Sequence, residues 1–338
     1  MELEFCGKQI RMNSANSERA ISIIIPSRAR PKQLQTALDS VLAQSNSELL
    51  DVIVVLDGVH ESAKAAYNTI INEYENEVRF ITLPYRLAGH GPSFARNEGI
   101  LHAKGRYVGF LDDDDEWTDQ HHLERFFKLT ADERVDLYFT HQKAVRPDGE
   151  IESKEIWLEG LIDKYKECEK KYSSCRIDVD TLLSTYGFSH LNCTLVSKEL
   201  IQEVGLFDES IRYEEDRHIY FILLERAKYI WFSDRIIGNH YIPIRDSAST
   251  RLSKVNRIQS QITAASNLFD RLQNEKLLER VREILQYSFE ELSEIFLREN
   301  SLDKAYLYRV YAAGCRATLK NLYKIIELRL KILFKSKT

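Results

Sequence analysis

Within the first 120 residues, short β-branched runs alternate with stretches of helical periodicity, and that alternation restricts the fold more than any other feature. Ile21-Ser22-Ile23-Ile24-Ile25 ends at Pro26, after which Leu34, Ala37, Leu38, Val41 and Leu42 recur at helical spacing. Val52-Ile53-Val54-Val55-Leu56 closes on Asp57-Gly58 and precedes a helical stretch through Ala65, Ile70 and Tyr74. A third run, Val78 to Leu83, leads through a loop with Gly89, Gly91 and Pro92 to a helix expected from Ser93 to Ala103. Tyr107-Val108-Gly109-Phe110-Leu111 then runs into Asp112-Asp113-Asp114-Asp115. Strands that are apolar along their whole length are covered on both faces, so the pattern predicts an α/β fold with a mainly parallel sheet, flanking helices and right-handed crossovers. The ligand crevice of such a sheet lies beyond the carboxyl ends of its strands. Pro26-Ser27-Arg28, Asp57-Gly58 and Asp112 to Asp115 are therefore expected along one edge.

Farther on, Val135 to Val145 reads as a strand, 146–176 as a charged insertion, Leu191 to Val196 as a strand, Glu215 to Arg226 as a helix, and Tyr229 to Phe232 as a closing strand. Beyond about residue 250, glycine almost vanishes and Leu or Ile recurs every three to four residues, which predicts a helical region over 251–338. The expected divisions are an extension over 1–20, two halves of one domain over 21–120 and 121–250, and that helical region. No repeat of 20 to 50 residues is visible.

Composition narrows the function classes. Thirteen glycines and six prolines in 338 residues exclude collagen-like and low-complexity chains, and charge interrupts every apolar stretch before the ~20 residues of a membrane span. The first 20 residues lack the basic start and apolar middle of a secretion signal, so the expected location is cytoplasmic. Cys6, Cys168, Cys175, Cys193 and Cys315 contain no C-x-x-C pair, which supports neither a disulfide framework nor a thiolate zinc site; they read as buried or indifferent thiols. The net charge of −5 hides a polarity: residues 316–338 carry seven basic side chains against Glu327 alone, so the rest of the chain is distinctly acidic. Nucleic acid is not an expected partner.

Four adjacent carboxylates after a strand repel one another unless solvated or bound to a cation. The run reads either as an acidic turn, with Asp115 or Thr118 capping a following helix, or as a site for a hard ion such as Mn2+ or Mg2+. Period-two alternation places Asp112 and Asp114 on one side.

The pieces ISIIIPSRARPKQLQTALDSVLAQ, VIVVLDG, GPSFARNEGILHAKGRYVGFLDDDDEW and VGLFDESIRYEEDRHIYFIL, in this order, resemble the family 2 glycosyltransferases of GT-A fold over most of 21–250. The resemblance implies inverting transfer from a nucleotide sugar with a divalent metal. Asp114 matches the metal ligand of the family's D-x-D motif, Asp112 a ribose or ion-water contact, and Asp113 and Asp115 are neighbours that share or support those roles. Pro26, Ser27, Arg28, Arg30 and Asp57 match positions that hold base and ribose. Here the chain departs from the family pattern, with Leu56 in place of a first aspartate and Ala29 where asparagine is frequent. Arg96, in a helix opened by Gly91-Pro92-Ser93, suits diphosphate oxygens. Asp216 matches the general base, with Glu215 as substitute and Glu214 expected to be solvated. His240 and Arg245, in Asn239-His240-Tyr241-x-x-x-Arg245-Asp246-Ser247, match a loop that folds over the diphosphate. Trp117 and Trp231 read as core or as sugar-stacking surfaces.

The implied donor is a nucleoside-diphosphate sugar, with a UDP-sugar leading, and the acceptor a glycan or lipid-linked glycan of a bacterial surface polysaccharide or lipopolysaccharide pathway. A nucleotidyltransferase and a catalytically inactive sugar-nucleotide-binding protein are the alternatives. In the basic tail, Leu322, Ile325, Ile326, Leu330 and Leu333 form an apolar face that suits either an anionic membrane surface at the inner leaflet or packing on protein, including a second subunit of a homo-oligomer.

Overall fold

A computed structural model of the chain describes residues 3–5, 8–10, 20–152, 156–242 and 252–335. A short antiparallel hairpin, β1 (Leu3–Phe5) and β2 (Lys8–Ile10), precedes the main sheet. The isoleucine run forms β3 (Ile21–Ser27), and Ile21, Ile23, Ile24 and Ile25 are wholly buried, as a strand covered on both faces requires. On either side lie β4 (Leu50–Leu56) and β6 (Tyr107–Phe110), both parallel to it, with β5 (Val78–Thr82) parallel to β4 at the edge. The intervening helices are α1 (Pro31–Leu42), α2 (Glu61–Tyr74) and α3 (Pro92–His102). β3 continues through Pro26, because β6 runs no farther than opposite Ile24 and β4 is the one strand beside the proline.

Past β6 the sheet is mixed. Its order is β5-β4-β3-β6-β10-β8-β11-β7, with β9 also paired to β11. Here β7 is Glu116–Trp117, β8 Leu137–Val145, β9 Cys175–Ile177, β10 Thr194–Ser197 and β11 Ile230–Tyr241. The parallel expectation holds for β3 to β6 and for β8 with β11, while β10 enters antiparallel between β6 and β8. The helices of this part are α4 (His122–Asp132), α5 (Ile162–Glu167), α6 (Val179–Leu183), α7 (Lys198–Glu203) and α8 (Glu215–Arg226).

Three expectations are corrected. The stretch 146–176 is not an appended insertion, for Trp157, Leu158, Leu161 and Tyr165 are buried and β9 belongs to the sheet. Cys168 and Cys175 are not indifferent thiols: they form a disulfide, brought together where β9 begins. Cys6 lies outside the described residues. The strand expected to close at Phe232 continues to Tyr241, with register shifts between Phe232 and Gly238 that carry it past the polar Ser233-Asp234-Arg235. That continuation, invisible to an apolar-run reading, delivers Asn239, His240 and Tyr241 to the acidic run.

The C-terminal region is helical as expected: α9 (Lys254–Asn267), α10 (Glu275–Arg298), α11 (Leu302–Cys315) and α12 (Leu319–Lys335). Leu277, Val281 and Leu285 of α10 join the core that α8 and the sheet build, while Ile258, Leu292, Phe296, Ala305 and Leu328 pack as a separate apolar cluster.

Candidate active site

The four aspartates follow β6 directly, and their exposure alternates. The side chains of Asp112 and Asp114 are 25% and 24% exposed, those of Asp113 and Asp115 1% and 0%. Thus Asp112 and Asp114 share the open side, as the alternation predicted. The capping alternative fails, because β7 intervenes and α4 begins only at His122.

Each carboxylate has its own partner. Arg96, nearly buried in α3, donates from Nη2 to Asp112 Oδ1 (2.7 Å) and from Nη1 to Glu215 Oε1 (2.8 Å), bridging the two acidic runs. The Asp112 N–H donates to Asn192 Oδ1 (3.0 Å), and His190 Nε2 lies 3.9 Å from Asp112 Oδ2. Burial works against ionisation of Asp112, but Arg96 and then His190 outweigh it and bring its pKa down to about 2. Arg30 sits over the next two residues, with Nη2 3.0 Å from Asp113 Oδ1 and Nη1 in contact with Asp114 Oδ2. Burial raises Asp113 to about 7 and Asp114 to about 6, against the pull of Arg30 in both cases. Asp115 accepts from Asn192 Nδ2 (2.6 Å) and the Tyr241 N–H (2.8 Å), and pairs with His240 Nδ1 (2.8 Å). Both of its oxygens are thus engaged by protein groups, among them the His240 ring. Burial lowers the His240 pKa, but the bond to Asp115 and the surrounding carboxylates outweigh this and raise it.

The strand-one loop closes on the same place. The Ser27 hydroxyl is 3.0 Å from the Tyr67 hydroxyl, which also accepts from the Arg30 N–H (3.1 Å), and the Arg28 N–H donates to Asp113 Oδ2 (3.3 Å). Pro26 is half-buried one residue earlier, and Ala29 holds a left-handed φ of 59°, a conformation that asparagine adopts more readily than alanine. The Arg28 guanidinium donates to the carbonyls of Arg86 (3.0 Å) and Leu87 (2.8 Å). Asp57 accepts from the His90 N–H (2.7 Å) and the Gly91 N–H (3.1 Å) and pairs with His90 Nδ1 (2.8 Å). Gly89 is required here, since its φ is +68° and a Cβ would stand 2.5 Å from Asp57 Oδ2. Arg28 and Asp57 thus fasten the 86–91 loop. Both oxygens of Asp57, one of the residues expected to hold base or ribose, are engaged by this loop.

The second acidic run is positioned through α3. Asn97 donates from Nδ2 to the Phe207 carbonyl (2.9 Å) and accepts the Phe207 N–H (2.9 Å), while the Ser93 hydroxyl donates to the Ile211 carbonyl (2.9 Å). These bonds fix the segment that leads into α8. Glu214 opens the helix at φ 70°, a strained conformation for a side-chain-bearing residue. It is not solvated as expected, being 11% exposed, 2.9 Å from Arg217 Nη1 and accepting from Gln261 Nε2 (2.9 Å). Glu215 is held by Arg96. Asp216 accepts the Arg217 N–H (2.7 Å) and has no ion pair among the described residues. Burial, then Glu215 and Glu214, push it up to about 7. On the Arg217 side of α8 a cavity of about 230 Å³ is lined by Tyr186, Phe188, Arg217, Tyr220, Tyr287 and Glu291.

Arg245 lies outside the described residues. Trp117 and Trp231 are core side chains, 4% and 6% exposed. The residues missed in the sequence are Asn192, His190, His90 and Tyr67; the Asn192 side chain ties Asp112 to Asp115, and its one signal was a polar residue at the start of an apolar strand.

Among the described residues no group of three or more His, Cys, Asp or Glu side chains forms a ready cation cage. An ion such as Mg2+ keeps several waters and takes phosphate oxygens alongside one or two carboxylates. Asp112 and Asp114 fit this demand, as hard oxygen donors with solvent access beside His240.

The model of the family described as glycosyl transferase family 2 matches residues 22–205, more than half of the chain. The chain belongs to that family. An uncharacterized glycosyltransferase of Rickettsia prowazekii is 26% identical over 297 residues, covering 85% of this chain and 82% of that protein. The minor teichoic acid biosynthesis protein GgaB of Bacillus subtilis is 24% identical over 82% of this chain, a match that takes in 29% of GgaB. Among solved structures, S. aureus TarS 1–349 in complex with UDP-GlcNAc superposes with a TM-score of 0.65 at 16% identity, covering 87% of this chain and 81% of that one. The mannosyltransferase PcManGT of Pyrobaculum calidifontis, in complex with GDP-Man and Mn2+, gives 0.56 at 15% identity, covering 94% and 81%. At these identities the structures establish the GT-A fold.

Proposed function

We propose that this chain transfers a sugar from a nucleoside-diphosphate sugar to an acceptor hydroxyl with inversion at the anomeric carbon. The observation that carries this reading is the Arg96 bridge, which holds a partly open acidic run and a second run with one raised-pKa carboxylate, without an ion pair among the described residues, at a fixed separation. Single displacement needs that division. On one side the diphosphate leaves with growing negative charge; on the other a carboxylate takes the acceptor's proton as its oxygen attacks. Asp216 is the base, and its pKa near 7 leaves it ionised in useful amount at neutral pH yet basic enough to accept a proton. Glu215, ion-paired to Arg96, keeps Asp216 in place and raises its basicity.

On the donor side, Asp114 with Asp112 would hold Mn2+ or Mg2+, which supplies Lewis-acid neutralisation of the leaving diphosphate. Arg30 and His240 add positive charge from the protein. Ser27, Tyr67 and the 86–91 loop form the wall where base and ribose lie. The cavity beside α8 receives the acceptor, its aromatic walls suiting the apolar faces of a saccharide and Glu291 its hydroxyls.

The relatives support a role in bacterial surface-polymer synthesis. GgaB and TuaG of Bacillus subtilis carry teichoic and teichuronic acid biosynthesis in their names, and TarS was crystallised with UDP-GlcNAc. A UDP-sugar is accordingly the first donor to try. Incubation with α-linked UDP-, GDP- and dTDP-sugars plus Mn2+, with or without surface-glycan acceptors, should release nucleoside diphosphate from one of them. Proton NMR should show the β configuration in the transferred or hydrolysed sugar. An α product would refute inversion, and no turnover of any donor would refute the transferase reading.

A further inference from the structure

α12 is apolar on two opposite faces. One face packs inward: Asn321 and Leu328 are fully buried. On the other, Leu322, Tyr323, Ile326, Leu330 and Phe334 are between 47% and 70% exposed. At about 100° per residue these five fall within an arc of about 120° pointing away from the protein. An unpartnered stripe of large side chains on a single helix marks an interaction surface.

The helix cannot roll to hide that stripe. Arg309, 2% exposed in α11, donates from Nη1 to Asn321 Oδ1 (2.9 Å) and from Nη2 to Glu294 Oε1 (2.7 Å). Asn321 Nδ2 donates in turn to Glu290 Oε1 (2.9 Å). Rotation about the α12 axis would take Asn321 away from the buried Arg309 guanidinium and from Glu290. The outward orientation is therefore built into the fold.

Charge decides the occupant. Over 319–335 the chain has Lys320, Lys324, Arg329, Lys331 and Lys335 against Glu327. Arg329 borders the stripe on one edge, and Lys320 and Lys331 stand beyond the other, all three exposed. Lys324 and Lys331 share the single Glu327, so an excess of positive charge remains. Two copies joined through α12 would set two cationic rims against each other. A bilayer with anionic headgroups neutralises the rim while its acyl boundary takes the stripe. No described helix is long and apolar enough to cross a membrane. We infer that α12 is a membrane-docking helix that lies in the interfacial plane of an anionic bilayer and holds the catalytic domain against it.

This surface stands apart from the transfer chemistry, so its failure would leave the proposed reaction untouched. The full chain should float with vesicles of phosphatidylglycerol and phosphatidylcholine about tenfold more than with phosphatidylcholine alone, an enhancement that added salt reduces. The triple variant Leu322→Ser, Ile326→Ser, Leu330→Ser should lose flotation while melting normally and keeping its nucleotide-induced stabilisation. Equal flotation of variant and parent, or none by either, would overturn the inference. So would a parent that is dimeric by light scattering, does not float, and becomes monomeric in the triple variant, since a second copy would then own the stripe.

Discussion

The two acidic runs of the site are similar in composition and opposite in electrostatic treatment. From Asp112 to Asp115 each carboxylate faces a cation or a set of donors: Arg96, Arg30, or Asn192 with His240. From Glu214 to Asp216 the first two are paired, with Arg217 and Arg96, and the third has, among the described residues, only a backbone N–H. Asp112 consequently falls to about 2 while Asp216 rises to about 7. Carboxylates of one chemical type are thus given different proton affinities by their partners, the difference on which the proposed roles rest, and Arg96 contacts both runs at once.

Removing the unpaired carboxylate is the sharpest break in that contrast. Asp216→Asn should lower transfer by about 10²–10⁴-fold, measured by nucleoside diphosphate release. Wild-type turnover should climb with pH and level off above about 7, as Asp216 loses its proton. Stability should run the other way. Because its folded pKa is raised above the usual carboxylate value, Asp216 binds a proton more tightly in the folded state, so its contribution declines as pH rises from about 4 to 7. The asparagine variant should lack that part of the slope in its melting temperature.

Cutting the bridge comes next. Arg96→Met leaves Asp112 and Glu215 without their shared, buried cation and should cost about 3–5 kcal/mol in chemical denaturation. A loss below about 1 kcal/mol would show that the runs are not coupled through this residue. Arg30→Gln should act in the opposite sense on metal binding. With its guanidinium gone from Asp114, Mn2+ affinity by calorimetry should rise about tenfold, the effect of one neighbouring charge. The smallest change is expected at Ala29→Gly, which relieves a left-handed backbone angle and should stabilise by about 0.4–1 kcal/mol in thermal unfolding.

Much of the fold was legible because the strands from Ile21 to Phe110 are continuous apolar runs and the helices between them have clean periodicity. α8 was read to the residue, Glu215–Arg226. The alternation along the aspartate run also foretold which two face outward. The errors arose where distant contacts override local pattern. β11 crosses Ser233-Asp234-Arg235 because β8 supplies a partner on both sides of the irregularity. The loop that folds onto Asp57 from more than 30 residues away has no signal at Asp57 itself. The carboxylate conflict, read from sequence either as an acidic turn or as a site for a divalent ion, is eased within the protein by Arg96 from α3 and by Arg30, neither adjacent to the run in sequence.

The division of labour between the two runs can be tested by one paired measurement, the nucleotide-induced rise in melting temperature with and without Mn2+ in Asp114→Asn and Asp216→Asn. The account predicts that Asp216→Asn keeps the metal-dependent part of the rise while losing turnover, and that Asp114→Asn loses that part. If Asp114→Asn responds to Mn2+ as the parent does, or Asp216→Asn no longer binds nucleotide, the assignment of donor and proton-transfer sides is wrong.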